Sequence, residues 1–376
     1  IATLITTLLA LAPLAMATNG SNLIGVGPMS RSMGGVGVAA PQDAISAIFA
    51  NPAAICFGPF CPGAQADFSG TYFNPTVKGK ATVTDNTGVQ ASGSDTSDTK
   101  PSTIPAIGIS SALSPKWRFG VGAYGVSGMG VSYKESDLPF QNNLYTKLEV
   151  MNFAPNVAYM INPDFSVGAN FIVSYQNLDL GYGADHGYGM GLQLGGLYKL
   201  GILNLGASYT YNQGVTHEKV AYFDNDAMLD DLELQSPQVV ALGVSMEPSS
   251  TWLVELDTKW INWSGAKGYE DFDWEDQWVL VLGAQYKITP AFSLRAGYNY
   301  AKNPVKEHDG FDPMGTTNVQ GHDVLNPNYE ALRILGFPAV VEHHLTLGLG
   351  YKFTNAMAIN LSYMHALENT VKESSA

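Results

Sequence analysis

From Gln65 onward the chain resolves into runs of ten to eighteen residues in which apolar and polar positions alternate. That period of two belongs to strands whose two faces meet different surroundings. In 341–353 the odd positions are Val341, His343, Leu345, Leu347, Leu349, Tyr351 and Phe353, while the even ones are polar or glycine. The runs 292–300, 203–212 and 165–176 repeat the pattern, the last with one exception at Ile172. Soluble sandwiches also alternate, but these runs exceed the usual five or six residues and approach the 9–11 that cross a bilayer obliquely. Aromatic residues gather at their ends (Trp252, Trp260, Trp263, Tyr133, Tyr211, Tyr351, Phe353), as interfacial girdles require.

The connections alternate too. Short ones fall at 114–115, 162–164, 200–201, 248–250, 289–290 and 354–355, and longer polar ones at 79–102, 134–143, 219–235, 265–275 and 302–338; only 181–185 is brief on the long side. Long and short connections in turn mark an up-and-down outer-membrane barrel, with the short turns periplasmic. Thirteen strands are expected, at 65–78, 103–113, 117–133, 144–161, 164–180, 186–200, 202–218, 236–247, 251–264, 276–288, 291–301, 340–353 and 356–368. Such barrels usually have an even number of strands, so a fourteenth is expected beyond Ala376. The third strand breaks its own pattern at 124–128, where Gly125, Ser127 and Gly128 predict a bulge or kink and a possible side opening in the wall.

The first 64 residues lack this alternation. Residues 1–17 form an apolar stretch ending Ala15-Met16-Ala17 and are expected to be a signal peptide that starts upstream of Ile1. Residues 31–58 are small, rich in Gly and Ala and nearly uncharged; they are too short and interrupted to cross a bilayer as a helix. The expected organisation is therefore a plug or hatch at 18–62, lodged in a barrel at 63–376. Cys56 and Cys61 make a disulfide candidate in an exported protein, with free thiols the alternative.

Composition narrows the function. With a formal net charge of −14 and no basic run, the chain lacks the basic face that nucleic acid demands. Residues 120–125 match G-x-G-x-x-G, but they lie inside a strand and lack the following helix of a nucleotide site. No metal or cofactor motif stands out. The acidic stretches around Asp224, Asp226, Asp230 and Asp231, and around Glu270, Asp271, Asp273, Glu275 and Asp276, read as solvated outer loops or weak divalent-cation sites. Glu255, Asp257 and Lys259 share one strand face, where Arg295 or Lys287 could pair with them to hold a plug or line a substrate path. His343 and His344 point to opposite faces and cannot share a ligand.

The segment GVGPMSRSMGGVGVAAPQDAISAIFANPAAI, the Gly-broken third strand and the closing LSYMHALENTVKES resemble the FadL/TodX family of outer-membrane transporters. The resemblance covers 18–376 and implies an all-β, fourteen-stranded antiparallel barrel plugged by an N-terminal hatch, in the outer membrane of a Gram-negative bacterium. It implies passive, non-enzymatic uptake of long-chain fatty acids or neutral and aromatic hydrocarbons, without a cofactor, by a monomer among outer-membrane lipid and lipopolysaccharide. Asn51, Pro52 and Ala53 carry over as hatch and gate, and Gly125, Ser127 and Gly128 as the kink through which cargo, or a co-purified lipid or detergent, leaves sideways. Ile45, Ile48, Phe49, Ile55 and Phe57 are candidate substrate-binding residues, or equally the face that packs the hatch on the wall. The stretch 164–180 has no Lys or Arg to clamp a carboxylate, which keeps a neutral cargo in view. Two other readings stand beside this one: a lipase-like barrel enzyme drawing on His217, His308, His322 or His365, and a general porin.

Overall fold

The computed structural model describes residues 18–60, 63–84, 90–134, 136, 138–139, 143–224, 226 and 228–375. Residues 1–17 and Cys61 fall outside these, and with them the expected signal peptide and the Cys56–Cys61 pairing.

Among the described residues thirteen strands form one antiparallel wall: β1 (Gln65–Phe73), β2 (Ser102–Ala112), β3 (Trp117–Ser132), β4 (Tyr145–Asn162), β5 (Phe165–Asp179), β6 (Ala184–Leu200), β7 (Leu203–Thr210), β8 (Gln238–Ser249), β9 (Trp252–Asn262), β10 (Gln277–Lys287), β11 (Phe292–Ala301), β12 (His343–Lys352) and β13 (Ala358–Ala366). Each pairs with its neighbour in sequence, from β1 through β13. Among the described residues β1 and β13 are not paired with each other, so the wall is open along that seam. No helix among them is long and apolar enough to cross a membrane.

Alternation decides which face looks out. Along β12, Leu345 and Leu347 are 49% and 61% exposed, whereas His344 and Thr346 are 0% and 3% exposed. The exposed face is the greasy one. A soluble fold would reverse this arrangement, and a lipid-facing wall requires it.

The buried face has a partner. Residues 18–60 fold as a two-strand turn at 18–23, helix α1 (Pro28–Ser32), helix α2 (Ala44–Ala50) and a 3-10 segment at Pro52–Cys56. α1 packs on β11, β12 and β13, α2 on β1, β2 and β3, and the 3-10 segment on β4, β5 and β6. One short segment touches strands at both ends of the sheet, so the sheet curls around it.

One expected strand is two. The alternation read across 202–218 continues through a departure from the wall: β7 ends at Thr210, and Gln213–Ala221 pairs instead with Asp230–Ser236. The hairpin stands over the outer end, as does a second one, Thr316–Val319 with His322–Leu325. Helix α3 (Asn326–Ala331) follows the second hairpin.

Candidate functional site

The N-terminal segment is held mainly by wall side chains that satisfy its backbone. α2 begins at Asp43, whose Oδ1 accepts from Ser46 N at 2.7 Å, while Asp67 Oδ2 accepts from Ala44 N at 2.7 Å. A helix leaves its last carbonyls without internal donors. Here Asn170, Gln193 and Ser208 donate to the carbonyls of Ile48, Phe49 and Ala50 at 2.6, 3.0 and 2.8 Å. Burial pushes the Asp43 carboxyl up to about 6, against the pull of the Ser46 bond.

Asn51 continues the pattern. Its Oδ1 accepts from Ala53 N at 3.1 Å, and its Nδ2 donates to Val38 O at 2.7 Å and to Gly196 O at 3.0 Å. Asn156 donates to Pro52 O, and Ser166 to Ala53 O. Across the bore, Asp257 Oδ2 accepts from Gly37 N and Val38 N at 2.9 and 3.2 Å. Glu255 Oε1 accepts from Ala39 N and Ala40 N at 2.7 and 3.0 Å, and Lys259 donates to Gly35 O at 3.2 Å. The acidic face of β9 therefore grips four consecutive backbone amides, and Arg295 turns instead to Gln285 and Asn360.

β3 carries the irregularity. Its register against β4 shifts between Gly125 and Ser127, so Val126 bulges. Its pairing with β2 ends at Ala106 opposite Tyr124, which leaves the outer half of β3 without β2 beside it. The chain's own N-terminal turn occupies part of that edge. Asn22 pairs with Ser127, Gly128 N donates to Ser21 O at 3.1 Å, and the Ser127 and Ser21 hydroxyls lie 2.8 Å apart.

Beside this edge, under the outer loops, is an apolar cavity of about 20 Å³. The wall contributes Leu148 and Leu178, the first hairpin Leu232 and Leu234, and the loop after β9 contributes Tyr269, Phe272 and Trp274. Phe337 and Arg333 complete it. Arg333 is fully buried, but its charge is spoken for: Nη2 lies 2.7 Å from Glu330 Oε2 and also bonds Glu373. Tyr269 links cavity to edge, because its hydroxyl is 3.0 Å from Ser21 Oγ.

The sequence candidates divide. Ile45, Ile48 and Ile55 are fully buried and cluster with Cys56, Ala154, Ile172 and Leu197, with Phe49 and Phe57 packed against that cluster. They lie apart from the cavity lining. Val126, at the bulge, packs against both this cluster and the one that contains the cavity. Phe49 meets Tyr124 edge-on at 5.7 Å, beside the end of the β2–β3 pairing. The cavity's loop residues escaped the sequence reading because they sit in segments read as polar loops. Tyr269, Phe272 and Trp274 interleaved with Glu270, Asp271, Asp273 and Glu275 were the available signal. His217, His308 and His322 face carboxylates of Asp185, Glu330 and Asp224.

A family model described as outer membrane protein transport protein (OMPP1/FadL/TodX) matches residues 7–218 and 188–310. The chain belongs to that family. It is thus an outer-membrane transport protein of the FadL/TodX type. No curated protein matches. Among solved structures, the Pseudomonas putida toluene transporter TodX is 19% identical at a TM-score of 0.63, covering 96% of this chain and 95% of its own. A FadL homologue from Pseudomonas aeruginosa is 15% identical at a TM-score of 0.64, covering 93% and 90%. The CymD monoaromatic hydrocarbon channel is 19% identical at 0.58, covering 93% and 94%. At such identities the likeness is one of fold.

Proposed function

We propose that this FadL/TodX member takes up small neutral hydrophobic molecules, aromatic hydrocarbons before fatty acids, by passive movement through the outer cavity and sideways out of the wall at β3. In this reading residues 18–62 are the hatch, and Asn51, Pro52 and Ala53 are part of its seal. The observation that carries it is the outer half of β3, which β2 no longer flanks and whose edge is covered only by the turn at 18–23 and by residues 97–99, beside an apolar cavity. A greasy solute gains about 0.8 kcal/mol for each methylene it buries, so an apolar path that ends in the bilayer draws it along without an energy source. A water-filled pore offers no such gain.

Neutral cargo fits the charges. The one cationic side chain lining the cavity, Arg333, already faces two glutamates. A fatty-acid carboxylate would have to displace one of them at a cost of several kcal/mol. The solved structures it resembles point the same way: TodX is a toluene transporter and CymD a monoaromatic hydrocarbon channel. The cavity of about 20 Å³ is far below the ~150 Å³ that holds a benzene, so entry requires Tyr269 and its neighbours to yield. Because Tyr269 holds Ser21, and Ser21 holds Ser127, yielding at the cavity loosens the turn that occupies the β3 edge. Ile45, Ile48, Phe49, Ile55 and Phe57 then floor the route as the apolar face of the hatch.

The test is a disulfide across the edge. Ser21→Cys with Ser127→Cys, in a background with Cys56 and Cys61 changed to Ser, should abolish toluene uptake by cells when oxidised and regain it on reduction. Unchanged uptake by the oxidised protein would remove the lateral exit from the account. Faster uptake of palmitate than of toluene by the unmodified chain would remove the preference for neutral cargo.

A further inference from the structure

The two hairpins above the wall meet at three side chains. Asp224 lies in the connection of the first hairpin, Asp230 opens that hairpin's second strand, and His322 opens the second strand of the other. The Nδ1 of His322 is 2.9 Å from Asp224 Oδ2 and 3.3 Å from Asp230 Oδ1, and the three donor atoms lie within 4.8 Å of one another. A single ring nitrogen thus faces two carboxylate oxygens, and it carries at most one hydrogen to offer them. Asp230 is 6% exposed, and among the described residues His322 is the only basic side chain paired with either aspartate.

Each ligand already has its orientation set from behind. Asp230's second oxygen accepts from Phe223 N at 2.8 Å, and Asp224's accepts from Asp226 N at 3.0 Å. The Phe223 ring lies against the His322 ring, with centroids 6.3 Å apart. Outer contacts of this kind fix the direction of metal ligands. The spacing also fits: ligands about 2.0–2.1 Å from a tetrahedral ion stand roughly 3.3 Å from each other. One imidazole and two carboxylates suit a zinc-class divalent ion. Calcium instead takes six or more oxygens.

We propose that Asp224, Asp230 and His322 bind a divalent transition-metal ion of the zinc class, with solvent completing the coordination. The site lies outside the transport path described above and does not depend on it. Its consequence would be mechanical. Leu232 and Leu234 follow Asp230 on the same strand and line the cavity, so an ion that ties this strand to the second hairpin braces the roof over the cargo. The other cluster of histidine and carboxylates, His308 with Glu330 and Glu373, is the natural control. There Arg333 bonds both glutamates and opposes a cation.

The experiment titrates cobalt(II) chloride into the purified, chelator-treated full chain in detergent and follows the visible absorption of the bound ion. Zinc chloride is then added to displace it. Expected is one saturable equivalent with the intense spectrum of a four-coordinate site, weakened on the order of 100-fold in His322→Ala and in Asp230→Asn but unaffected in His308→Ala. Heat-modified gel mobility of each variant separates ligand loss from misfolding. An unmodified chain that gives no saturable spectrum would overturn the proposal, as would a spectrum that survives His322→Ala in a folded barrel or is lost in His308→Ala.

Discussion

Asp43 does two things that oppose each other. As the N-cap of α2 it accepts a backbone hydrogen bond, which favours the charged form. Enclosed in the bore, it lacks the water that charge needs, and burial prevails, taking the carboxyl from 3.8 to about 6. The folded state therefore holds the Asp43 proton more tightly than the unfolded chain does. Stability from this group is complete below about pH 4 and is lost as pH rises through 6, a swing of about 3 kcal/mol. Protection factors of the amides over 44–50, corrected for the base-catalysed intrinsic rate, should be higher at pH 5 than at pH 7.5, and Asp43→Asn, which keeps a capping oxygen, should flatten the difference. Equal protection at both pH values in the unmodified chain would show that water reaches the carboxyl. Glycines on the inner face act by a different route. A Cβ on Gly206 would collide with the Val38 carbonyl, and one on Gly297 with the backbone of Gly34. These positions let main chain lie against main chain. Gly206→Ala should lift residues 38–40 off the wall at a cost of about 1–3 kcal/mol, read as increased ion leakage in planar bilayers with the barrel still folded.

Among the elements, β3 has the most to lose from regularity. A side chain at Gly125 would run into Ile104 on β2, across the place where their pairing stops. Gly125→Val should fill that corner, leaving a folded, heat-modifiable barrel that no longer takes up toluene; uptake at the unmodified rate would mean cargo passes elsewhere. The wall itself was legible in the sequence because lipid imposes one rule on every strand: apolar residues out, polar or small residues in. The same rule misled at 213–221. There the hairpin sets Val215 and His217 inward with the neighbouring residues exposed, and packing over a cavity gives the same period as packing in a bilayer. The bulge was legible from its glycines. The cavity was not, because its lining comes from loops distant in sequence, and a loop residue's burial depends on which loop it meets. Residues 45–57 could be read as apolar and enclosed, but their spacing could not tell a packing face from a cargo-binding one.

At the scale of the molecule, the proposed seal at Asn51, Pro52 and Ala53 and the interrupted strand sit at different heights. Asn156, which bonds Pro52, is in register with Gly120 of β3. The end of the β2–β3 pairing, at Tyr124, lies four residues further toward the long loops. The segment Asn51–Ala53, the proposed seal, thus sits nearer the periplasm than the place where β2 and β3 part, while the turn at 18–23 reaches beyond that place to Ser127 and Gly128. On the proposed route a molecule that turned aside there would displace the turn at 18–23 and pass Phe49, which meets Tyr124, but it would not have to move Asn51, Pro52 and Ala53. The cell could then admit solvents through its outer shell while ions and water-loving toxins met a bore still corked beneath them, and what separates the two classes of visitor would be their taste for oil.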